Sequence, residues 1–120
     1  MKKIIIKRNS QIITDNARRA DNFFTRFKGL MFVKEIDDDY ALHIMPCNQI
    51  HMLNMRFALD VIYLSENGRV VKVDENVQPG KICKTVRNAK SVIEMKAFSA
   101  SRLGICQGDI IVMTVLHSNC

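Results

Sequence analysis

The sequence lacks a long uninterrupted apolar run. Its N-terminal segment MKKIIIKR holds only three isoleucines before Lys7 and Arg8 interrupt them. A secretory leader needs about 7–15 apolar residues and a transmembrane helix about 20. The sequence therefore predicts neither a leader nor a membrane span, and we expect a cytoplasmic protein.

Closely spaced cysteines and the best-known catalytic motifs are also missing. The four cysteines lie 36, 23 and 14 residues apart, at Cys47, Cys83, Cys106 and Cys120, and form no CxxC pair. Such dispersed cysteines are typical of free thiols in a reducing compartment, with Cys120 expected to be the most exposed. No GxxxxGK[ST], GxGxxG, HExxH or GxSxG motif occurs, so none of the corresponding chemistries is predicted.

Acidic residues are fewer than basic ones, 12 against 18, which gives a formal charge of +6. The basic residues are spread along the chain without interleaved aromatic residues, and no RNP-like motif is present. Diffuse positive charge is more typical of a solubilising surface than of a nucleic-acid interface. Weak nucleic-acid binding is therefore an alternative that the sequence does not favour.

Short β-branched segments separated by turn residues predict a mainly β structure. KIIIKR and QIIT, separated by Asn-Ser, predict an opening hairpin. ADNFFTRFKGLM has apolar residues at helical spacing, which predicts a short helix capped by Asp21 and terminated by Gly29. Asn67-Gly68 predicts a two-residue type I′ turn between strands at about 57–64 and 69–75.

The remaining segments complete the predicted fold. Strands are expected at ALHIM, ending near Pro46, at SVIEMKAF and at QGDIIVMTVL, with a helical turn at SASRLG beginning at Ser99 or Ser101. With 48% apolar and 25% charged residues, the composition is that of an ordinary globular protein. We predict an α+β, mainly β fold: one compact domain over residues 1–120, a closed or partly open β-barrel with one or two short helices.

The segment PCNQIHMLNMRFALD concentrates the candidate functional groups, namely Cys47, His51, Met55 and Asp60. Cysteine, histidine and methionine are all ligands for soft or borderline metal ions. The preceding proline and the β-like residues that follow favour an extended backbone over residues 49–55, which places the cysteine and histidine about 13 Å apart.

An extended backbone leaves two interpretations of these groups open. A metal ion or a Cys–His nucleophile pair needs a partner from another strand, such as Cys83. Alternatively, Cys47 and Met55 pack in the core and His51 is a hydrogen-bonded polar residue, which the sequence favours.

Two charged residues also require partners. Asp60 lies within the apolar strand ALDVIYL, where an ionised carboxylate is costly unless it is paired or hydrogen-bonded. Pairing with an arginine, Arg26 being one candidate, is favoured over a catalytic role. Arg26 itself could bind an anion in a cleft or tie the helix to the sheet.

Four ordered blocks, FFTRFKGLM, PCNQIHMLNMRFALDVIYLSENGRVVKV, SVIEM and GDIIV, resemble the DUF192 family, also called UPF0127. The resemblance extends from about Ala17 to Val112. The residues that match its blocks are Arg26, Gly29, Leu30, Met31, Cys47, His51, Met55, Asp60, Glu94, Gly108 and Asp109.

This resemblance implies a compact, β-rich α+β fold and no established catalytic residue. Other members resemble this chain but carry an aromatic residue in place of His51, which argues against one fixed imidazole chemistry. Phe98 stands where relatives typically have glycine, so a difference is expected in the turn before the short helix.

The biochemical function is not identified by any of these patterns. We predict a small non-enzymatic binding domain for an unknown small ligand or protein, with a groove near the Arg26 helix and the His51–Asp60 strands. The alternative is an enzyme that uses a Cys/His pair. The candidate ligand-binding residues are Arg26, Cys47, His51, Met55 and Asp60; no catalytic residue or metal ligand is assigned, and the cofactor is unknown.

Overall fold

A computed structural model describes residues 1–117, so Cys120 lies outside the described residues. Within them the chain forms seven strands and two helices: β1 (Lys2–Arg8), β2 (Gln11–Ala20), α1 (Phe23–Lys28), β3 (Ala41–Ile44), β4 (Leu59–Leu64), β5 (Val70–Val77), β6 (Ser91–Lys96), α2 (Ser99–Leu103) and β7 (Ile111–Leu116). Neither helix has the length and apolar character that crossing a membrane requires.

The seven strands form one sheet in the order β5-β4-β6-β3-β2-β1-β7. β2 and β3 are parallel, and the other neighbours are antiparallel. The edge strands β5 and β7 approach each other at one end, where Val70 N donates to Asp109 O and Ile111 N to Gly68 O, both at 2.8 Å. The sheet is therefore a partly open barrel, which confirms the predicted α+β, mainly β fold.

Apolar clusters cover both faces of the central strands. Alternate residues of β4 separate into two groups, with Val61 and Tyr63 in one cluster and Ile62 and Leu64 in the other. The cluster that contains Ile62 and Leu64, which we call the inner cluster, includes residues from all seven strands and from α2. The cluster that contains Val61 and Tyr63, which we call the outer cluster, lies on the opposite face. In it, residues of strands β2 to β6 pack against Leu30 and against segments that connect the strands. β3, β4 and β6 are consequently buried on both faces.

The predicted hairpins are confirmed, but one turn differs from the prediction. β4 and β5 are antiparallel on either side of Asn67-Gly68. Gly68 N donates to Ser65 O at 3.0 Å, and Gly68 has φ of 81° whereas Asn67 has a negative φ. The connection is thus a type I turn followed by a left-handed glycine, and the type I′ prediction was wrong. A side chain at Gly68 would clash with the Ile111 carbonyl oxygen, because the barrel edges meet there.

Helix α1 forms where predicted and ends at Gly29, but its N-cap differs from the prediction. The side chain of Asn22 accepts a hydrogen bond from Thr25 N at 2.9 Å and caps the helix. Asp21 instead forms an ion pair with Lys2 at 3.2 Å. None of the helical residues is buried, so the three phenylalanines at helical spacing do not enter the core.

The expected extended strand over residues 49–55 is wrong. His51 forms a single β-bridge with Ile82, and the chain then turns, with Met55 N donating to Met52 O at 3.3 Å. Asn54 lies in the left-handed region with φ of 59°. The segment is neither a strand nor a helix, because its backbone bonds to the residue 80–83 segment and then reverses.

Candidate functional site

A small cavity of about 40 Å³ lies between α1, the segment after β3 and the outer face of the sheet. We call it the α1 cavity. Of the five predicted site residues, Arg26, Cys47, His51 and Met55 line it, and Asp60 does not. Phe27, Lys28, Gly29 and Glu94 also line this cavity.

Arg26 connects the α1 cavity to the surface. It also lines two adjoining open grooves, together with Cys47. The larger, which we call the aromatic groove, measures about 300 Å³ and includes Phe23, Phe27 and His51 in its lining. The Nε atom of Arg26 is buried and has no hydrogen-bond partner among the residues described. Among these residues, the Nε–H group therefore makes no hydrogen bond that would tie the helix to the sheet.

Glu94 lies at the base of the α1 cavity, on the outer face of β6. It is 4% exposed, and its Oε1 atom is buried without a partner in the described part of the chain. A Cβ atom at Gly29 would come within 3.3 Å of Oε1, so the carboxyl group lies directly beneath the end of α1. Burial raises the pKa of Glu94 to about 7, because the charged form is poorly solvated there.

Sequence reasoning matched Glu94 to a family block but did not assign it to the site. A signal was present, because SVIEM places an acidic residue inside an apolar strand in the same way as ALDVIYL places Asp60. The rule that a buried carboxylate needs a partner applies equally to both.

Cys47 and His51 line the same cavity but are not hydrogen-bonded to each other. Cys47 Sγ donates to Gln49 O at 3.2 Å, and burial raises the pKa of the thiol. His51 Nδ1 accepts from Leu53 N, and Nε2 lies 3.3 Å from Phe27 O, which selects the neutral tautomer with the proton on Nε2. Both ring nitrogens therefore bind backbone groups.

The packing interpretation of this segment agrees with the structure. Met55 belongs to the outer cluster, and Cys47 is partly buried against that cluster. Cys83 is buried and lines a separate groove beside β5. Among residues 1–117 no group of three or more histidine, cysteine or acidic side chains is arranged to hold a metal ion.

Asp60 has partners, but they are not the predicted arginine. Its Oδ1 atom accepts from Asn76 N at 2.9 Å and from Phe98 N at 3.0 Å, and Oδ2 accepts from Ala100 N at 2.8 Å. These backbone N–H groups belong to β5 and to the start of α2. Asp60 joins these elements on the inner face of the sheet, and the suggested Arg26 pairing was wrong.

Phe23, Phe27 and His51 form the aromatic wall of the groove. The rings of Phe23 and Phe27 are stacked with centroids 6.4 Å apart, and the centroids of Phe27 and His51 are 5.5 Å apart. Phe23 is 81% exposed and Phe27 59% exposed. An apolar wall beside a buried N–H donor that has no partner in the described part of the chain is typical of a ligand-binding site.

Two solved structures share the fold. A protein of unknown function from Novosphingobium aromaticivorans has a TM-score of 0.79 at 24% identity, over 91% of this chain and 82% of that one. A Sinorhizobium meliloti protein, described provisionally as a transcription regulator, has a TM-score of 0.78 at 21% identity, over 93% and 92% of the two chains. At these identities the similarity shows the fold alone.

Sequence comparison shows the family. A UPF0127 protein of Pyrococcus furiosus is 36% identical over 98 residues, which cover 77% of this chain and 81% of that protein. A UPF0127 protein of Thermococcus sibiricus is 33% identical over 97 residues, which cover 76% of this chain but only 61% of that protein. Residues 4–113 match the family DUF192, described as Uncharacterized ACR, and the chain belongs to this family.

Proposed function

We propose that this protein is a non-enzymatic binding domain whose ligand occupies the aromatic groove and reaches into the α1 cavity. The observation that carries the proposal is the position of Arg26. Its Nε atom is buried and has no hydrogen-bond partner among residues 1–117, and its side chain lines both the cavity and the groove. A buried donor of this kind costs free energy unless a ligand or water accepts its hydrogen bond.

The alternative, an enzyme using Cys47 and His51, has less support from the geometry. A nucleophilic cysteine needs a base within hydrogen-bond reach and a thiol with a lowered pKa. Cys47 instead donates to the Gln49 carbonyl group, and burial raises its pKa. We therefore expect iodoacetamide to alkylate Cys47 more slowly than the exposed Cys106 at pH 7.5. Faster alkylation of Cys47 would favour the enzyme.

A cytoplasmic setting is part of the proposal. Cys47, Cys83 and Cys106 are free thiols in the structure, which is the state that a reducing compartment maintains. Fractionation of cells that express the natural gene would check the location.

The test of binding uses two phenylalanines of the same helix. Phe27 lines the groove, whereas Phe24 lies outside the groove lining and is also exposed, at 70%. We expect some members of a library of small acids, amides and amines to shift the backbone amide NMR signals of Phe27, Cys47 and His51. Phe27→Ala should weaken such binding at least fivefold, and Phe24→Ala less than twofold. No shifts with any compound, or equal losses in the two variants, would refute the groove as the site.

A further inference from the structure

We propose that the ligand is a small monocarboxylate whose carboxylate group enters the α1 cavity and is held between Arg26 and Glu94. This inference rests on the proposed function and adds the chemical class of the ligand. It assigns a binding role to Glu94, which was not among the site residues predicted from the sequence.

Hydrogen-bond complementarity favours an acceptor. Arg26 Nε is a donor, and Glu94 becomes a second donor when its carboxyl group is protonated. Arg26 and Glu94 line the same cavity, and they do not form an ion pair with each other. A carboxylate has two oxygen atoms and can accept one hydrogen bond from each side chain, as charge-assisted bonds.

The size of the two spaces sets the size of the ligand. A single water molecule needs about 10–15 Å³ of cavity. The α1 cavity, at about 40 Å³, therefore admits a head group of two or three heavy atoms, such as a carboxylate. The adjoining aromatic groove of about 300 Å³ is at the lower end of ligand pockets, so it suits a small apolar body beside Phe27.

Charge selects an anion over a cation. Arg26 and Lys28 both line the cavity and repel an ammonium group there. When Glu94 is protonated, it does not balance the positive charges of Arg26 and Lys28. A bound carboxylate then neutralises one of these charges. Ionised Glu94 would repel the same carboxylate, so the affinity should fall when Glu94 loses its proton.

The other titratable groups near Glu94 come from four parts of the chain. They are Arg26 and Lys28 on α1, Tyr40 before β3, Cys47 and His51 after β3, and Tyr63 on β4. Burial raises the pKa of Tyr40, Cys47 and Tyr63, so these three stay uncharged near neutral pH. His51 also lines the cavity, so its role in binding is examined with a separate variant.

The experiment compares phenylacetate with phenylacetamide, its neutral counterpart of the same shape. Dissociation constants are measured by NMR titration of the complete protein at pH 6 and pH 8. We expect phenylacetate to bind at least tenfold more tightly than phenylacetamide at pH 6. Because burial raises the pKa of Glu94 to about 7, phenylacetate affinity should fall about tenfold between pH 6 and pH 8.

Variants identify the groups involved. Glu94→Gln retains a donor and cannot ionise, so phenylacetate affinity should change less than twofold between pH 6 and pH 8. Arg26→Gln should lose at least tenfold in affinity, whereas Arg56→Gln, an exposed arginine outside the site, should change it less than twofold. His51→Gln should retain the pH dependence. Thermal unfolding of each variant confirms that it is folded before its affinity is interpreted.

The outcomes separate this inference from the proposed function. Equal binding of phenylacetate and phenylacetamide within the groove would overturn the carboxylate inference and leave the binding domain intact. A pH profile lost in His51→Gln but retained in Glu94→Gln would also overturn it. Absence of groove binding by every compound of the library would overturn both proposals.

A final arm distinguishes two sources of the carboxylate. N-acetyl-Gly-Phe carries a free C-terminal carboxylate, and its amidated form does not. If the free peptide binds at least tenfold more tightly than phenylacetate, the natural ligand is a protein C-terminus. If phenylacetate binds as well or better, the ligand is a free acid. Binding of the amidated peptide as tightly as the free peptide would contradict the carboxylate inference.

Discussion

Asp60 and Glu94 are carboxylates buried in neighbouring strands, on opposite faces of one sheet. In the β4–β6 register, Asp60 is opposite Met95 and Val61 is opposite Glu94. Asp60 is 0% exposed and accepts three backbone hydrogen bonds. Glu94 is 4% exposed, and its Oε1 atom has no partner in the described part of the chain.

This difference separates a structural carboxylate from a candidate binding group. The hydrogen bonds of Asp60 compensate for its burial and fasten α2 and β5 to the barrel. Glu94 lacks such compensation at Oε1, and it lies in a cavity that opens through Arg26 to the surface. A buried polar atom without a protein partner indicates where a ligand gains most by binding.

The largest expected effect is that of Asp60→Ala. Three N–H groups lose their acceptor, so we expect a loss of about 4 kcal/mol in the free energy of unfolding. Urea unfolding followed by far-UV circular dichroism measures this loss. Asp74→Ala is the matched control, since that carboxylate forms a partly exposed ion pair with Lys72 at 3.4 Å. It should cost less than about 1 kcal/mol. A loss below 1 kcal/mol for Asp60→Ala would contradict the structural role.

Glu94→Gln should have an effect of intermediate size that depends on pH. The pKa of Glu94 is raised from 4.5 to about 7 by burial, so the folded state binds the proton more tightly than the unfolded state. Between these two values the stability contributed by Glu94 falls as pH rises. The free energy of unfolding of the variant should therefore be higher than that of the wild type by about 3 kcal/mol at pH 8. At pH 4.5 the two values should be nearly equal.

The measurement is urea unfolding of both proteins across this pH range, with the difference between them as the result. His43 is present in both proteins, so its effect cancels in the difference. Burial lowers the pKa of His43 to about 4, so the stability that His43 contributes is lost as pH falls, the opposite of the trend for Glu94. A difference that does not grow with pH would show that Glu94 is ionised and compensated in the folded protein.

The smallest expected effect is that of Phe98→Gly, at the turn that Asp60 holds. Phe98 has φ of 72°, a left-handed conformation that costs an L-residue with a side chain about 1–2 kcal/mol. The turn thus has a backbone conformation that favours glycine at this position. We expect the variant to raise the free energy of unfolding by about 1 kcal/mol. Phe98→Ala keeps the strain and should be close to neutral, so equal gains in both variants would refute this explanation.

Much of the fold could be predicted from local patterns. β-branched segments, turn residues and the glycine at the end of α1 located the strands, the hairpins and the helices, because these signals act between near neighbours in the chain. The segment at residues 49–55 could not be predicted in the same way. Its path depends on hydrogen bonds to residues 80–83, which are distant in sequence.

By itself, the sequence determined the approximate positions of the seven strands of the sheet, though not the path of residues 49–55, together with the family and four of the residues that line one cavity. It also determined that a carboxylate at Asp60 must have partners. The tertiary structure alone decided that those partners are backbone N–H groups, that the phenylalanines of α1 stay exposed, and that Arg26 and Glu94 share a cavity. The reason is physical: local backbone preferences are properties of adjacent residues, whereas burial and the partner of a buried charge depend on segments brought together only by folding.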